Sequence, residues 1–161
     1  MGSYALRAGG FVGVISDTHG LVRPEAVAAL RGSELIIHAG DVGGPEVLEE
    51  LGRVAPVVAV RGNNDRGAWA EALAEYEAVE VNGAFVYVLH DLKELDIAPA
   101  AAGFRVVVAG HSHRPLVEER RGVLHLNPGS AGPRRFKLPV TVARLRVACG
   151  DASAEIINLS V

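Results

Sequence analysis

Cysteine is almost absent from this 161-residue chain: Cys149 is the only one, so neither an intrachain disulfide nor a cysteine zinc cage can form. A reducing compartment is compatible with that, and Cys149, with no cationic neighbour in sequence, reads as an inert buried thiol. Long hydrophobic runs are missing too. The apolar stretches are strand-length, such as Val54 to Val60 with Pro56 inside it, well short of the roughly 18 residues needed to cross a bilayer. The third absence is an excess of positive charge. Lys and Arg number 16 against 19 Asp and Glu, a formal net charge of −3, so no overall field draws in nucleic acid. Neither a membrane nor a nucleic-acid partner is indicated, and a homo-oligomer is allowed. The opening MGSYALRAGG has no long apolar stretch, and Leu6 stands where a myristoylation signal needs Ser or Thr. The expectation is a short disordered arm over residues 1–10, one domain over 11–161, and a cytoplasmic location.

What the chain does have is apolar residues enough for a core, 49% hydrophobic with 22% charged. From Phe11 it alternates β-branched runs with amphipathic segments: FVGVIS, a helix from Pro24 to Arg31, then ELIIHA. Pro45 and Gly52 bracket a second helix with Val47, Leu48 and Leu51 on one face. Val57 to Val60 reads as a strand, Ala68 to Glu75 as a short helix with Trp69 and Leu73 inward, and Ala84 to Leu89 as a strand entered through an Asn82-Gly83 turn. A helix from Ile97 to Ala102, capped by Asp96, leads into FRVVVA, a strand apolar enough to be buried on both faces. Beyond it LVEER, VLHLN, Thr141 to Val147 and Ala154 to Leu159 read as hairpin strands without helices. There is no internal repeat, linker or low-complexity segment.

Five polar clusters directly follow five of the strands: Asp17-Thr18-His19-Gly20, Gly40-Asp41, Gly62-Asn63-Asn64-Asp65, His90-Asp91 and Gly110-His111-Ser112-His113. In open parallel sheets the carboxyl ends of the strands share one edge, so distant clusters can converge there. Asp17/His19 and His111/His113 are spaced i, i+2, which in an extended segment projects both side chains to one side. Carboxylates, imidazoles and an amide oxygen form a mixed N/O ligand set that suits Mn, Fe, Co, Ni or Zn better than Mg or Ca. The donor set does not by itself rank those five.

With these motifs in order, followed by Asn127-Pro128-Gly129-Ser130, the chain resembles the calcineurin-like metallophosphoesterases, in particular their small single-domain bacterial and archaeal phosphodiesterase branch. The resemblance runs from about Phe11 to Val147. It implies a four-layer α/β/β/α sandwich, with two mixed sheets face to face and helices outside. It also implies two divalent transition-metal ions, Mn the first choice with Fe, Ni, Co or Zn as alternatives: Asp17, His19, Asp41 and His113 hold one, and Asp41, Asn63, His90 and His111 hold the other. Asp41 then bridges, and Asp41, Asn64 and His90 are the catalytic candidates. Ser130, Asn64, Asp91 and Arg134 are candidates for contact with a small phosphate-ester substrate. Two departures stand out. Many relatives place a proton-donating His where this chain has Asn64, which leaves the general acid unassigned, and His90 is followed by Asp91 where the motif often has Gly.

Each cluster alone has a plainer reading: Asp17 as a cap, Gly40-Asp41 as a turn, Asp65 as the cap of the next helix. Their coincidence at strand ends favours metal. His38 and His125 read as core residues or as groups that orient a ligand rather than as ligands themselves. Arg134 and Arg135 are most simply solvated, though a bidentate phosphate clamp fits them. Two divalent metals with Asp17, Asp41 and a bridging hydroxide leave about one positive charge, which favours an anionic phosphate, and metals roughly 3.5–4 Å apart suit in-line attack by that hydroxide. The alternatives are a metal-binding scaffold with weak catalysis, on the pattern of the retromer subunit of the superfamily, and a nucleotide-binding regulator.

Overall fold

Alternation along the strands divides the apolar residues between three packing layers, and the division explains the architecture. The computed structural model describes residues 1–161. Its strands are β1 (Gly2–Tyr4), β2 (Val12–Ile15), β3 (Leu35–His38), β4 (Val57–Ala59), β5 (Tyr76–Val81), β6 (Ala84–Leu89), β7 (Phe104–Val108), β8 (Leu116–Arg120), β9 (Val123–Asn127), β10 (Thr141–Ala148) and β11 (Asp151–Asn158). The helices are α1 (Pro24–Leu30), α2 (Pro45–Gly52) and α3 (Ala68–Glu71). One sheet has the order β1-β5-β6-β7-β9-β8 and the other β11-β10-β2-β3-β4. Both are mixed: β2, β3 and β4 run parallel, as do β6, β7 and β9, while the other pairings except β1 with β5 are antiparallel.

Val12, Val14, Leu35 and Ile37 of one sheet meet Val86, Val88, Val106, Val108, Leu124 and Leu126 of the other in a core of 18 buried residues. The intervening positions point outward. Ile15, Ile36 and Val142 pack on Ala26 and Leu30 of α1 and on Val47 and Leu51 of α2, so each helix buries the face its sequence pattern marks. Proline opens both helices, as fits a first turn whose amide has no partner in the helix. On the far side of the six-stranded sheet Tyr87, Leu89, Val107 and Val123 are covered by Leu92, Leu95 and Ile97. The sandwich therefore has its four layers, but the outer layer on this side is thin.

Several local features differ from the sequence expectation. The expected helix over 97–102 is a run of turns with a short 3-10 turn at Leu92–Glu94 ahead of it, because Pro99 interrupts a six-residue segment too short to nucleate alone. α3 ends at Glu71, well before Glu75. Tyr76–Val81 forms β5, the antiparallel partner of β6 across the Asn82-Gly83 turn, both residues at positive φ. Residues 1–10 are not wholly an arm: Gly2–Tyr4 pairs parallel with β5, which otherwise would leave an open ladder edge. Cys149 is exposed in the β10–β11 turn rather than buried. No helix is long and apolar enough to cross a membrane.

Candidate metal centre

The parallel strands of both sheets end at one edge, and the polar clusters follow there. β2 leads to Asp17, β3 to Asp41, β4 to Asn63, β6 to His90, and β7 to His111 and His113. Backbone bonds knit the loops together: the Asp17 amide donates to the Gly40 carbonyl, the His19 amide to the Asp41 carbonyl and the Gly110 amide to the His90 carbonyl, all at 2.9–3.0 Å. The turns are sharp. Asp17, His19, Asp41, His111 and His113 all have positive φ, between 47° and 69°. Non-glycine residues in that region are strained, and strain of this kind concentrates at functional sites. Two glycines make the approach feasible: a Cβ on Gly62 would overlap the Asp41 amide, and one on Gly110 would overlap the Ser16 hydroxyl.

The result is a convergence of ligand-type atoms. His113 Nε2 lies 3.3 Å from Asp17 Oδ1, and His90 Nε2 lies 3.4 Å from Asp41 Oδ2 and 3.9 Å from Asp17 Oδ1. His19 Nε2 is 3.7 Å from Asp41 Oδ2 and 3.9 Å from Asp17 Oδ1. Asp17, His19 and His113 form one compact group, and Asp17, Asp41 and His90 another, each with its ligand atoms within 4.8 Å of one another. Asp17 Oδ1, His19 Nε2 and His90 Nε2 are buried without any hydrogen-bond partner. Buried polar atoms are rarely left so, and a bound cation would satisfy all of them. The donor set thus fits metal.

His111 and Asn63 stand at the open flank. The ring of His111 meets that of His90 edge to face at 5.1 Å, and its Nδ1 lies 3.2 Å from Asn63 Oδ1. Asp91 Oδ2 is 3.7 Å from His111 Nε2, while Asp91 Oδ1 accepts the Lys93 amide. All seven expected ligands are therefore in one place, with Asp17 belonging to both compact groups.

The neighbouring side chains set the electrostatics. Burial pushes the Asp41 carboxyl up, but the adjacent His90 ring and its charge, together with the hydrogen bonds from Asn64, outweigh it and hold it well below the usual carboxylate range. Asp17 is likewise lowered against its burial, by His113, the Ser16 hydroxyl and His90. Both are anionic at neutral pH. His90 is raised: burial opposes its charge, and Asp41 and Asp17 overcome the opposition. Its Nδ1 donates to the Ala39 carbonyl at 2.7 Å, which fixes the ring and leaves Nε2 facing the carboxylates.

His38 is fully buried, with both ring nitrogens taken up by hydrogen bonds inside the protein. Its Nδ1 accepts the Gly40 amide, so Nε2–H donates to Thr18 Oγ1, whose own hydrogen goes to the Val42 carbonyl. Burial lowers its pKa to about 4, against the attraction of Asp17 and Asp65, so it is neutral at pH 7. Ser130, expected near substrate, spends its hydroxyl on the Asp17 carbonyl, and Arg134 turns its guanidinium to the Val161 carbonyl at 3.1 Å. Asn64 gives both its amide and its side-chain NH2 to Asp41 at 2.9 Å. Asp65 caps no helix. It accepts the amides of Val42, Gly43 and Gly62, tying the third loop to the second. Asn127 similarly donates to the Gly110 carbonyl and to Ser112. The only sequence signal for Asp65 was its place at the end of Gly-Asn-Asn-Asp.

Comparison with known proteins agrees with this geometry. Residues 11–150 match the calcineurin-like phosphoesterase superfamily domain. The chain belongs to that superfamily. A probable metallophosphoesterase of Methanothermobacter thermautotrophicus is 40% identical over 158 residues, 91% of each chain. The phosphodiesterase YfcE of Escherichia coli is 31% identical over 145 residues, 71% of this chain and 76% of its own. Its solved structure covers 93% of this chain and 100% of its own with a TM-score of 0.65. Vps29 of Entamoeba histolytica in complex with zinc shares the fold at a TM-score of 0.69 and 22% identity, over 92% of this chain and 98% of its own.

Proposed function

We propose that this calcineurin-like phosphoesterase is a dinuclear metal-dependent phosphodiesterase that hydrolyses a small phosphate ester. The observation that carries the reading is the convergence of Asp17 Oδ1, Asp41 Oδ2 and the Nε2 atoms of His19, His90 and His113, three of these five atoms buried and unpartnered. Asp17, His19, Asp41 and His113 would hold one ion; Asp41, Asn63, His90 and His111 would hold the other, with Mn the first choice. Bound divalent ions supply Lewis acidity, which at neutral pH activates water and stabilises charge developing on phosphate oxygens.

The chain's own residues do the rest. The two lowered carboxylates stay anionic and supply the negative charge that retains cations. Ala39 and Asp65 hold a ligand ring and a ligand loop in place. Asn64 serves Asp41 and, being an amide, cannot protonate a leaving group. That deficit favours diesters with weakly basic leaving groups. A single cysteine accords with a cytoplasmic setting.

The test is turnover of bis(4-nitrophenyl) phosphate by Mn-loaded protein, with and without chelator. Chelator-sensitive hydrolysis supports the enzyme. Metal-loaded protein without turnover on any of a panel of phosphate esters would instead favour the scaffold.

A further inference from the structure

Beside the metal centre lies a cavity of about 850 Å³, within the size range of small-molecule sites. It lies between the Leu92–Glu94 turn, the ends of β7 and β9 and the start of β8. His111 and Asp91 belong to its wall, so it is continuous with the candidate metal site. Leu92, Leu116 and Leu138 give it apolar sides, and Lys93 and Arg114 place two cations against the one carboxylate of Asp91.

One side chain in this cavity has no structural employment. His125 lies on β9, where Leu124 and Leu126 face the inter-sheet core and Val123 the outer layer, so His125 projects outward with Val123. It is only 8% exposed, lines the cavity, and its Nδ1 is buried with no hydrogen-bond partner. Burial and the nearby Arg120 lower its pKa, against Glu118, so the ring is neutral at pH 7. A neutral imidazole offers one donor and one acceptor. Burying it unpaired is unfavourable in the empty protein and becomes favourable when a ligand's polar edge meets it.

We infer that this cavity binds the organic group esterified to the phosphate, and that the group is a flat heteroaromatic ring with polar edges on an anionic linker, as in a nucleotide ester. The inference rests on the phosphodiesterase reading. Apolar sides take the faces of the ring, His125 reads its polar edge, and Lys93 and Arg114 attract the anion. Phosphate held at the candidate metal site beside His111 places the ring on the cavity side. Hydrolysis adds water across one phosphorus–oxygen bond: the water oxygen bonds to phosphorus and gives up a proton to solvent, the oxygen of the second ester group leaves with the bonding pair, and the nucleoside monophosphate remains.

The experiment compares kcat/KM of the Mn-loaded protein for two esters with the same leaving group, thymidine 5′-(4-nitrophenyl phosphate) and methyl 4-nitrophenyl phosphate. The thymidine ester should be favoured at least about tenfold, mainly through KM. His125→Ala should reduce that ratio several-fold, and Leu116→Ser, on an exposed strand where folding is safe, should reduce it too. Metal-dependent hydrolysis of both esters at equal kcat/KM would overturn the cavity assignment and leave the phosphodiesterase standing. An unchanged ratio in both variants would also overturn it. No turnover of either ester would remove the phosphodiesterase reading, and this inference with it.

Discussion

Asn64 is the residue on which the proposed hydrolysis turns, because its NH2 group is committed to Asp41 and an amide would donate no proton to a departing oxygen. The rate should therefore fall steeply as leaving-group pKa rises. Asn64→His should flatten that dependence and accelerate poor leaving groups, by at most the roughly 10²–10⁴-fold that a positioned acid supplies. A series of 4-substituted phenyl and alkyl esters measures it, and fast wild-type hydrolysis of an alkyl monoester would refute it. His38 makes a separate prediction. Its pKa is about 4 in the folded protein against 6.5 as the reference, so between those values the unfolded chain binds the extra proton. Its contribution is complete above about pH 6.5 and is lost as pH falls toward 4, up to about 3 kcal/mol. Denaturation of wild type and His38→Gln across that window should show a shallower pH dependence for the variant, and parallel curves would contradict the assignment. The sequence allowed His38 to be read as core because it sits inside an apolar strand. Which nitrogen carries its proton follows only from the Gly40 amide and Thr18, contacts no spacing shows.

At the scale of elements, the loops after β2, β3, β4 and β7 act as one interlocked unit. Asp65 provides the acceptor for three amides from two loops, so Asp65→Ala should destabilise the protein by about 3 kcal/mol. It should also weaken metal binding through Asp41, although Asp65 is not itself a ligand. Thermal melts with and without Mn check both, and a variant with wild-type stability would mean water replaces the carboxylate without loss. Strands with strong apolar alternation and helices opened by proline were legible in sequence. β5 was less so, since Glu77 and Glu80 interrupt its apolar pattern and only the Asn82-Gly83 turn pointed to a partner strand. The segment over 97–102 satisfied helix start and stop signals, yet Pro99 and its shortness prevailed.

For the whole molecule, the convergence of the seven candidate ligand side chains was legible because each follows a strand and the fold brings those strand ends to one edge, where Asp17, His19, Asp41, His90 and His113 form the compact groups. Where the other polar side chains point was not legible, because it depends on contacts no spacing shows: Ser130 and Arg134 turn to backbone carbonyls, and the cavity beside His111 is lined from several separate elements. The central claim is that this edge holds two metal ions with Asp41 between them. Elemental analysis of protein saturated with Mn and then freed of excess, together with the thermal midpoint measured in excess Mn, tests it most directly. The account predicts two ions per chain and a midpoint raised by at least about 5 °C, since ligand at a hundredfold its Kd adds about 2.7 kcal/mol per site. Asp41→Asn should lower both. A metal content near zero, with no change in midpoint, would contradict the account.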